Sequence, residues 1–150
     1  MFKSLIEYQK LIAILLDDRD NWIKVFRVLG QICFFFYWFF DNISIACKIK
    51  ILKGNHTKIN TVAAFFWLLS LAISIPILLY ESRTNPDPED KRRQILDAIK
   101  YSFDLLPSSK ESKVFLKLFK KDVTDELYAI GGLISATIST YQVIQVSRKY

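Results

Sequence analysis

Val62 to Tyr80 reads VAAFFWLLSLAISIPILLY, nineteen residues without a charge. In a helix rising ~1.5 Å per residue such a run reaches ~29 Å, the hydrocarbon thickness of a bilayer. This stretch decides the class, an integral membrane protein. Pro76, in its last third, predicts a kink of the kind membrane helices tolerate when neighbours or Ser/Thr side chains re-satisfy the backbone. Tyr80 suits the interfacial aromatic belt, whereas Trp67 is too central for it.

Downstream, Leu127 to Ser147 is a second uncharged run, LYAIGGLISATISTYQVIQVS. Gly131, Gly132, Ser135, Ala136, Ser139 and Thr140 make it less greasy. Gly132, Ala136 and Thr140 recur every four residues and form one smooth stripe that another helix could approach closely in lipid. Packing within the monomer is the first expectation for that stripe, and a face between two copies the second.

Upstream, Val28 to Phe40 is apolar for thirteen residues and then meets Asp41 and Asn42. Alone it is too short to span. Continued to Leu52 it is long enough, with the polar pair near its middle and Lys48 and Lys50 near its end. Two readings of the pair follow. Asp41 caps a new helix by accepting an amide near Ser44, or it stays inside one helix and faces a helical bundle. A structural role, cap or interhelical tie, is preferred over a transport site.

The other segments read as amphipathic. In residues 1–16, Lys3, Ser4, Glu7 and Lys10 define a polar stripe opposite Phe2, Leu5, Ile6, Ile12, Ala13 and Leu16, a pattern suited to a membrane surface. Around Trp22, Lys24, Phe26 and Arg27 the same mixture recurs. ESRTNPDPEDKRRQ is loop-like, with Asp87 or Glu89 able to open the next helix, whose apolar face ends at Pro107. KVFLKLFKKDV then predicts a short helix of alternating lysines and apolar residues. The fold class is therefore all-α: two to three membrane-embedded helices plus amphipathic interfacial helices. The organisation is an N-terminal amphipathic region, 1–30, and a membrane domain, 31–150. Its apolar segments lie at about 28–52, 62–80 and 127–147, and amphipathic helices and loop fill 81–126.

Composition agrees. Fifty-one per cent of residues are hydrophobic and 15% aromatic, and the net charge of +6 then suits flanking groups and lipid headgroups rather than nucleic acid. Cys33 and Cys47 lie in apolar runs, and the single His56 has no second imidazole, so neither a disulfide framework nor a metal centre is expected. No secretory signal is expected at the N-terminus, where the apolar stretch ends in acidic residues. No phosphate loop or nucleophile–base set occurs, which predicts no catalytic residues, no cofactor and no enzyme.

Three stretches carry a resemblance to a known family: RVLGQICFFFYWFFDNISIACKIKIL, FFWLLSLAISIPILL followed by KRRQILDAIKYSFDLLP, and YAIGGLISATISTYQVIQ. In this order they resemble the peroxin-11 family of peroxisomal membrane proteins, over roughly Trp22 to the C-terminus. Family members have a longer amphipathic region before the Asp-Asn pair; about forty residues precede it here. The resemblance implies a protein of the peroxisomal membrane, or of a peroxisome-derived organelle. It implies a part in organelle elongation and division, through amphipathic-helix insertion, self-association and recruitment of fission machinery. Partners are then membrane lipids, further copies of the chain, the fission machinery and the import receptor peroxin-19, for which Lys91, Arg92 and Arg93 are candidate targeting residues.

The alternative is a small-metabolite channel or carrier of the same membrane, with Asp41 and Asn42 as its polar lining. A further one is an endoplasmic-reticulum adaptor similar in composition only. Topology is pulled two ways. Ten Lys/Arg lie between the two clear spans and two after the last, which by the positive-inside rule puts that segment in the cytosol. The resemblance implies cytosolic termini, and that reading is followed.

Overall fold

The computed structural model describes Tyr8, Gln9, Ile12, Ile14 and residues 21–147. Five helices account for the continuous part: α1 (Asn21–Lys48), α2 (His56–Thr84), α3 (Pro88–Ser112), α4 (Val114–Phe119) and α5 (Asp125–Ser147). Among the described residues there is no strand. Helices α1, α2 and α5 are long and apolar enough to cross a membrane.

Two sequence expectations change. The first concerns Asp41: α1 runs unbroken from Asn21 to Lys48, so Asp41 does not cap a helix start, and the cap reading is overturned. The orphan amides that a cap would satisfy do not exist there, because each is already bonded within the helix. Asn42 follows the same logic by donating its side-chain amide to the Trp38 carbonyl one turn back, at 2.7 Å. The boundary at residue 30 also falls inside this helix.

The second concerns the segment after Tyr80. Helix α2 continues through Glu81 to Thr84, and only residues 85–87 separate it from α3. Asp87 caps α3 by accepting the Glu89 amide at 3.0 Å, with Pro88 in the first turn, where its missing N–H costs nothing. Helix α3 does not end at Pro107 but passes through it to Ser112. Proline removes the hydrogen bond to the carbonyl four residues back, that of Phe103. That carbonyl faces Gly131 of α5, where an added Cβ would lie only 2.8 Å from the oxygen. The close approach lets Cα–H groups of α5 offer the freed oxygen a weak partner, which a larger residue would block.

The four long helices pack in chain order: α1 on α2, α2 on α3, and α3 on α5. Each pair is antiparallel. Asn60, early in α2, bonds Glu111, late in α3, at 3.5 Å. Asp97, early in α3, accepts from Gln142, late in α5, at 2.8 Å. The start of α1, the end of α2, the start of α3 and the end of α5 therefore share one end of the molecule. The 25 residues of α3 run roughly 37 Å, so it lies alongside α2 and α5 for most of their length.

The interior is built from small and polar groups and the exterior from large apolar ones. Ser44, Ser70, Ser108, Ser109, Ser112 and Ser135 are buried beside Ala63, Ala64, Leu71 and Ala98. Outside lie Phe26, Phe36, Phe39, Phe65, Leu69, Leu133 and Val143, all exposed. A protein surrounded by water would pay for that surface, whereas hydrocarbon covers it. Serine suits such an interior because its hydroxyl bonds back to its own helix, as Ser70 to the Trp67 carbonyl at 2.7 Å and Ser108 to that of Leu105 at 3.2 Å. Gly30 serves the same close packing: a Cβ there would meet the Ser74 hydroxyl oxygen at 3.2 Å.

Candidate functional site

Ionisable groups inside such a molecule are costly and mark its working parts. They gather along the seam where α1 and α3 face each other over α2. At one end the Arg27 guanidinium pairs with Glu81, whose side chain is only 8% exposed. Glu81 sits in the last turn of α2, in the stretch whose sequence reads as loop.

One step further along, a cleft of about 400 Å³ opens between α1 and α3. Gln31, Phe34, Tyr37 and Trp38 of α1, Trp67 of α2, and Lys100, Tyr101 and Asp104 of α3 line it. The aromatic walls are fixed by ring contacts: Tyr37 stacks on Trp67 at 5.2 Å, and Phe34 meets Tyr101 at 6.0 Å. Trp67, too central in its span for the interface, is thus a wall of this cleft. The Lys100 ammonium rests 5.7 Å from the Tyr101 ring centroid, a weak cation–π contact. Among the described residues it makes no ion pair. Asp104, one turn on, faces Ser135 of α5. A smaller pocket of about 170 Å³ continues the cleft toward Arg27 and Glu81, sharing Gln31, Phe34 and Tyr101 with it, and Ile14 reaches it from the N-terminal segment.

The other end of the seam is also polar. Asp41, half-buried in α1, and Glu111 in α3 both act electrostatically on the Tyr37 hydroxyl. Glu111 further accepts from Tyr128 of α5 at 3.0 Å. Ser44, near the end of α1, donates to the His56 carbonyl at 3.0 Å. His56 is exposed at the first residue of α2 rather than in a loop. No group of three or more His, Cys, Asp or Glu able to hold a metal occurs among the described residues.

The small residues of α5 divide between two faces. Gly131 and Ser135 are buried against α3, with Leu106 Cβ 3.0 Å from where a Gly131 side chain would begin. Gly132, Ala136 and Thr140 face outward, and among the described residues nothing lies within 4 Å of an added Cβ at Gly132. Internal packing, the first expectation for that stripe, therefore belongs to Gly131 and Ser135 instead. The reason is register: one residue along a helix is a turn of about 100°.

Among residues read as membrane-facing, Trp22, Phe26 and Ile12 are exposed, with the Trp22 ring edge-on to Tyr80 at 5.4 Å. Lys24 and Arg27 are half-buried. Phe2, Leu5 and Ile6 lie outside the described residues. Of the basic trio, Arg92 donates to the Tyr141 hydroxyl at 2.6 Å and so ties α3 to α5. Lys91 and Arg93 stay on the surface. Helix α4 exposes Phe115, Leu116, Leu118 and Phe119 between Lys113, Lys117 and Lys120, a composition suited to a headgroup layer. Lys100 and Asp104 were not singled out by sequence patterning, because in sequence they look like the solvated side of an amphipathic helix. The signal that could have found them was the spacing of Lys100, Asp104 and Glu111 on one side of α3.

Together these features define the class: an all-helical membrane protein with an apolar exterior and a polar internal seam. Residues 1–94 match the peroxisomal biogenesis factor 11 (PEX11) family, and the chain belongs to that family. The match covers α1, α2 and the start of α3, and the glycine-rich α5 lies beyond it. Comparison with curated proteins and with solved structures finds no match. Membership brings a peroxisomal membrane association and a role in peroxisome biogenesis and division, in a family of biogenesis factors rather than enzymes.

Proposed function

We propose that the chain is an integral protein of the peroxisomal membrane that promotes elongation and division of the organelle, acting by insertion of its N-terminal amphipathic segment and by self-association. The observation that carries self-association is the outward face of α5. Gly132, Ala136 and Thr140 leave a smooth strip with no neighbour near Gly132 among the described residues, and such strips let helices of two copies approach in lipid. Insertion of residues 1–16 adds area to one leaflet, and association concentrates those wedges, which favours curvature. Helix α3 completes the picture as a fourth crossing, shielded from lipid on two sides by α2 and α5, so both ends of the described chain face the same compartment. That arrangement agrees with cytosolic termini.

The test is to express the tagged chain and image peroxisomes beside a matrix marker, with a cross-linking assay in parallel. Elongated, marker-positive organelles and cross-linked dimers are expected. Gly132→Leu with Ala136→Leu should lose both dimers and elongation; unchanged dimers refute the α5 face. Incubating a peptide of residues 1–30 with anionic liposomes tests the wedge, which fails if neither helix nor tubulation is induced. Recruitment of fission machinery and recognition of Lys91, Arg92 and Arg93 by peroxin-19 complete the reading, and pull-down against the triple alanine variant tests the latter.

The polar cleft favours a second reading, a small-metabolite channel or carrier. Among the described residues the four long helices make an open row, with α1 and α5 at its two ends, so the seam they form is a groove rather than an enclosed pore. Conductance in planar bilayers, lost in Asp41→Leu, would support permeation.

A further inference from the structure

The groove suggests a cargo that never leaves the lipid. A metabolite channel needs polar groups on all sides, whereas this seam, among the described residues, has polar groups along its edges and an open side. The one class of molecule with a polar head and a tail that prefers hydrocarbon is the membrane lipid itself. In an unassisted bilayer a headgroup crosses slowly, because its charges must give up water with nothing in return. Polar side chains at successive depths, with the tails left in hydrocarbon, replace that single barrier by several smaller ones.

The chemistry of the cleft is zwitterionic. Lys100, which acts on Asp104 electrostatically but makes no ion pair within 4 Å among the described residues, offers an ammonium suited to a phosphate oxygen. Asp104, one helical turn away, offers a carboxylate, and Tyr37, Trp38, Trp67 and Tyr101 supply an aromatic lining. Aromatic faces beside a carboxylate bind quaternary and primary ammonium groups. The opposite charges and the volume of about 400 Å³ match a phosphate and an amine joined by a two-carbon link. Lys100 lies at the midpoint of α3, between Pro88 and Ser112, which, on the proposed reading of α3 as a fourth crossing, puts the cleft where the barrier is highest. The seam is polar on both sides of it, with Arg27 and Glu81 toward one end and Asp41 and Glu111 toward the other.

We propose that the α1/α3 groove carries zwitterionic phospholipid headgroups between the two leaflets, with the Lys100–Asp104 cleft as the central station. The activity is energy-independent scrambling, with no bond made or broken. It goes beyond the elongation reading, resting on α3 as a fourth crossing and not on self-association or on the N-terminal wedge.

The experiment uses the full chain in phosphatidylcholine vesicles with a trace of nitrobenzoxadiazole-labelled phosphatidylcholine, bleached from outside by dithionite. A parallel set encloses a water-soluble nitrobenzoxadiazole sugar. Bleaching of the lipid label well beyond the half that lies outside, with the enclosed sugar protected, is the expected result. A plateau at half, as in protein-free vesicles, overturns the proposal. Parallel bleaching of the sugar also overturns it, in favour of a pore that admits dithionite. Lys100→Leu should slow scrambling about tenfold or more, as for a lost charge-assisted contact at the barrier. Lys100→Arg should retain it, and Asp104→Asn should slow it more for choline than for uncharged headgroups. Helicity in detergent checks each variant; if Lys100→Leu does not fold, Lys100→Gln takes its place. A folded Lys100 variant at the native rate removes the cleft from the path.

Discussion

Helices α2 and α3 lie side by side, both of bilayer length and both with an internal proline, yet their sequences look unlike. Helix α2 is apolar on every face, and its nineteen uncharged residues announce a span. Helix α3 carries Asp97, Lys100, Asp104, Lys110 and Glu111 and reads as an amphipathic surface segment. The difference lies in what each touches. Helix α2 presents Phe65, Leu69 and Leu79 to the outside, whereas α3 is held between α2 and α5 and bonds them through Arg92, Asp97 and Glu111. On the proposed reading, in which α3 crosses beside α2, hydropathy detects exposure to lipid and not depth in the membrane.

The largest way to break this comparison is at the Arg27–Glu81 pair, which anchors the α2 end of the seam. Arg27→Leu leaves a buried carboxylate alone and should cost about 3–5 kcal/mol of unfolding free energy in detergent, while adding Glu81→Leu should recover most of it. Next is the contact between α3 and α5. Gly131→Leu must push α5 off the Phe103 carbonyl and should cost about 1–3 kcal/mol, whereas Gly132→Leu, one residue on, should leave monomer stability unchanged. Thermal unfolding of the purified variants reads both.

Polar ties along α3 come after these. Asp97→Ala and Arg92→Ala each remove one bond to α5, and each should cost about 1 kcal/mol, near-additively because the two are a turn or more apart. The smallest effect is expected at the joint between α3 and α4. Lys113 holds a left-handed backbone, φ 56°, so Lys113→Gly should stabilise by about 1 kcal/mol or less.

The parts of the fold legible in the sequence were those whose physics is local. The Val62–Tyr80 run, the weaker Leu127–Ser147 run and the Asp87 cap follow from hydropathy and backbone chemistry within a few residues. Asp41 was legible as a polar group in an apolar setting, but its role depended on whether the helix continued, and that is decided by packing along its length. Pro107 misled for the same reason: a proline ends a helix in water, but here the freed Phe103 carbonyl meets Gly131, twenty-eight residues away in the chain. The stripe on α5 showed its small residues but not its direction, because a rotation of one residue exchanges inside for outside. Of the cleft, the sequence holds only the spacing of Lys100 and Asp104 on one side of α3, since its walls come from three helices.

The central claim is that α3 crosses the membrane beside α2, and it is tested most directly by where its two ends emerge. Single cysteines at Asn85 and at Thr124, in a chain with Cys33 and Cys47 changed to alanine, should be labelled by an impermeant thiol reagent from opposite sides of intact organelles. Labelling of both positions from the same side would place α3 on the membrane surface and contradict the account.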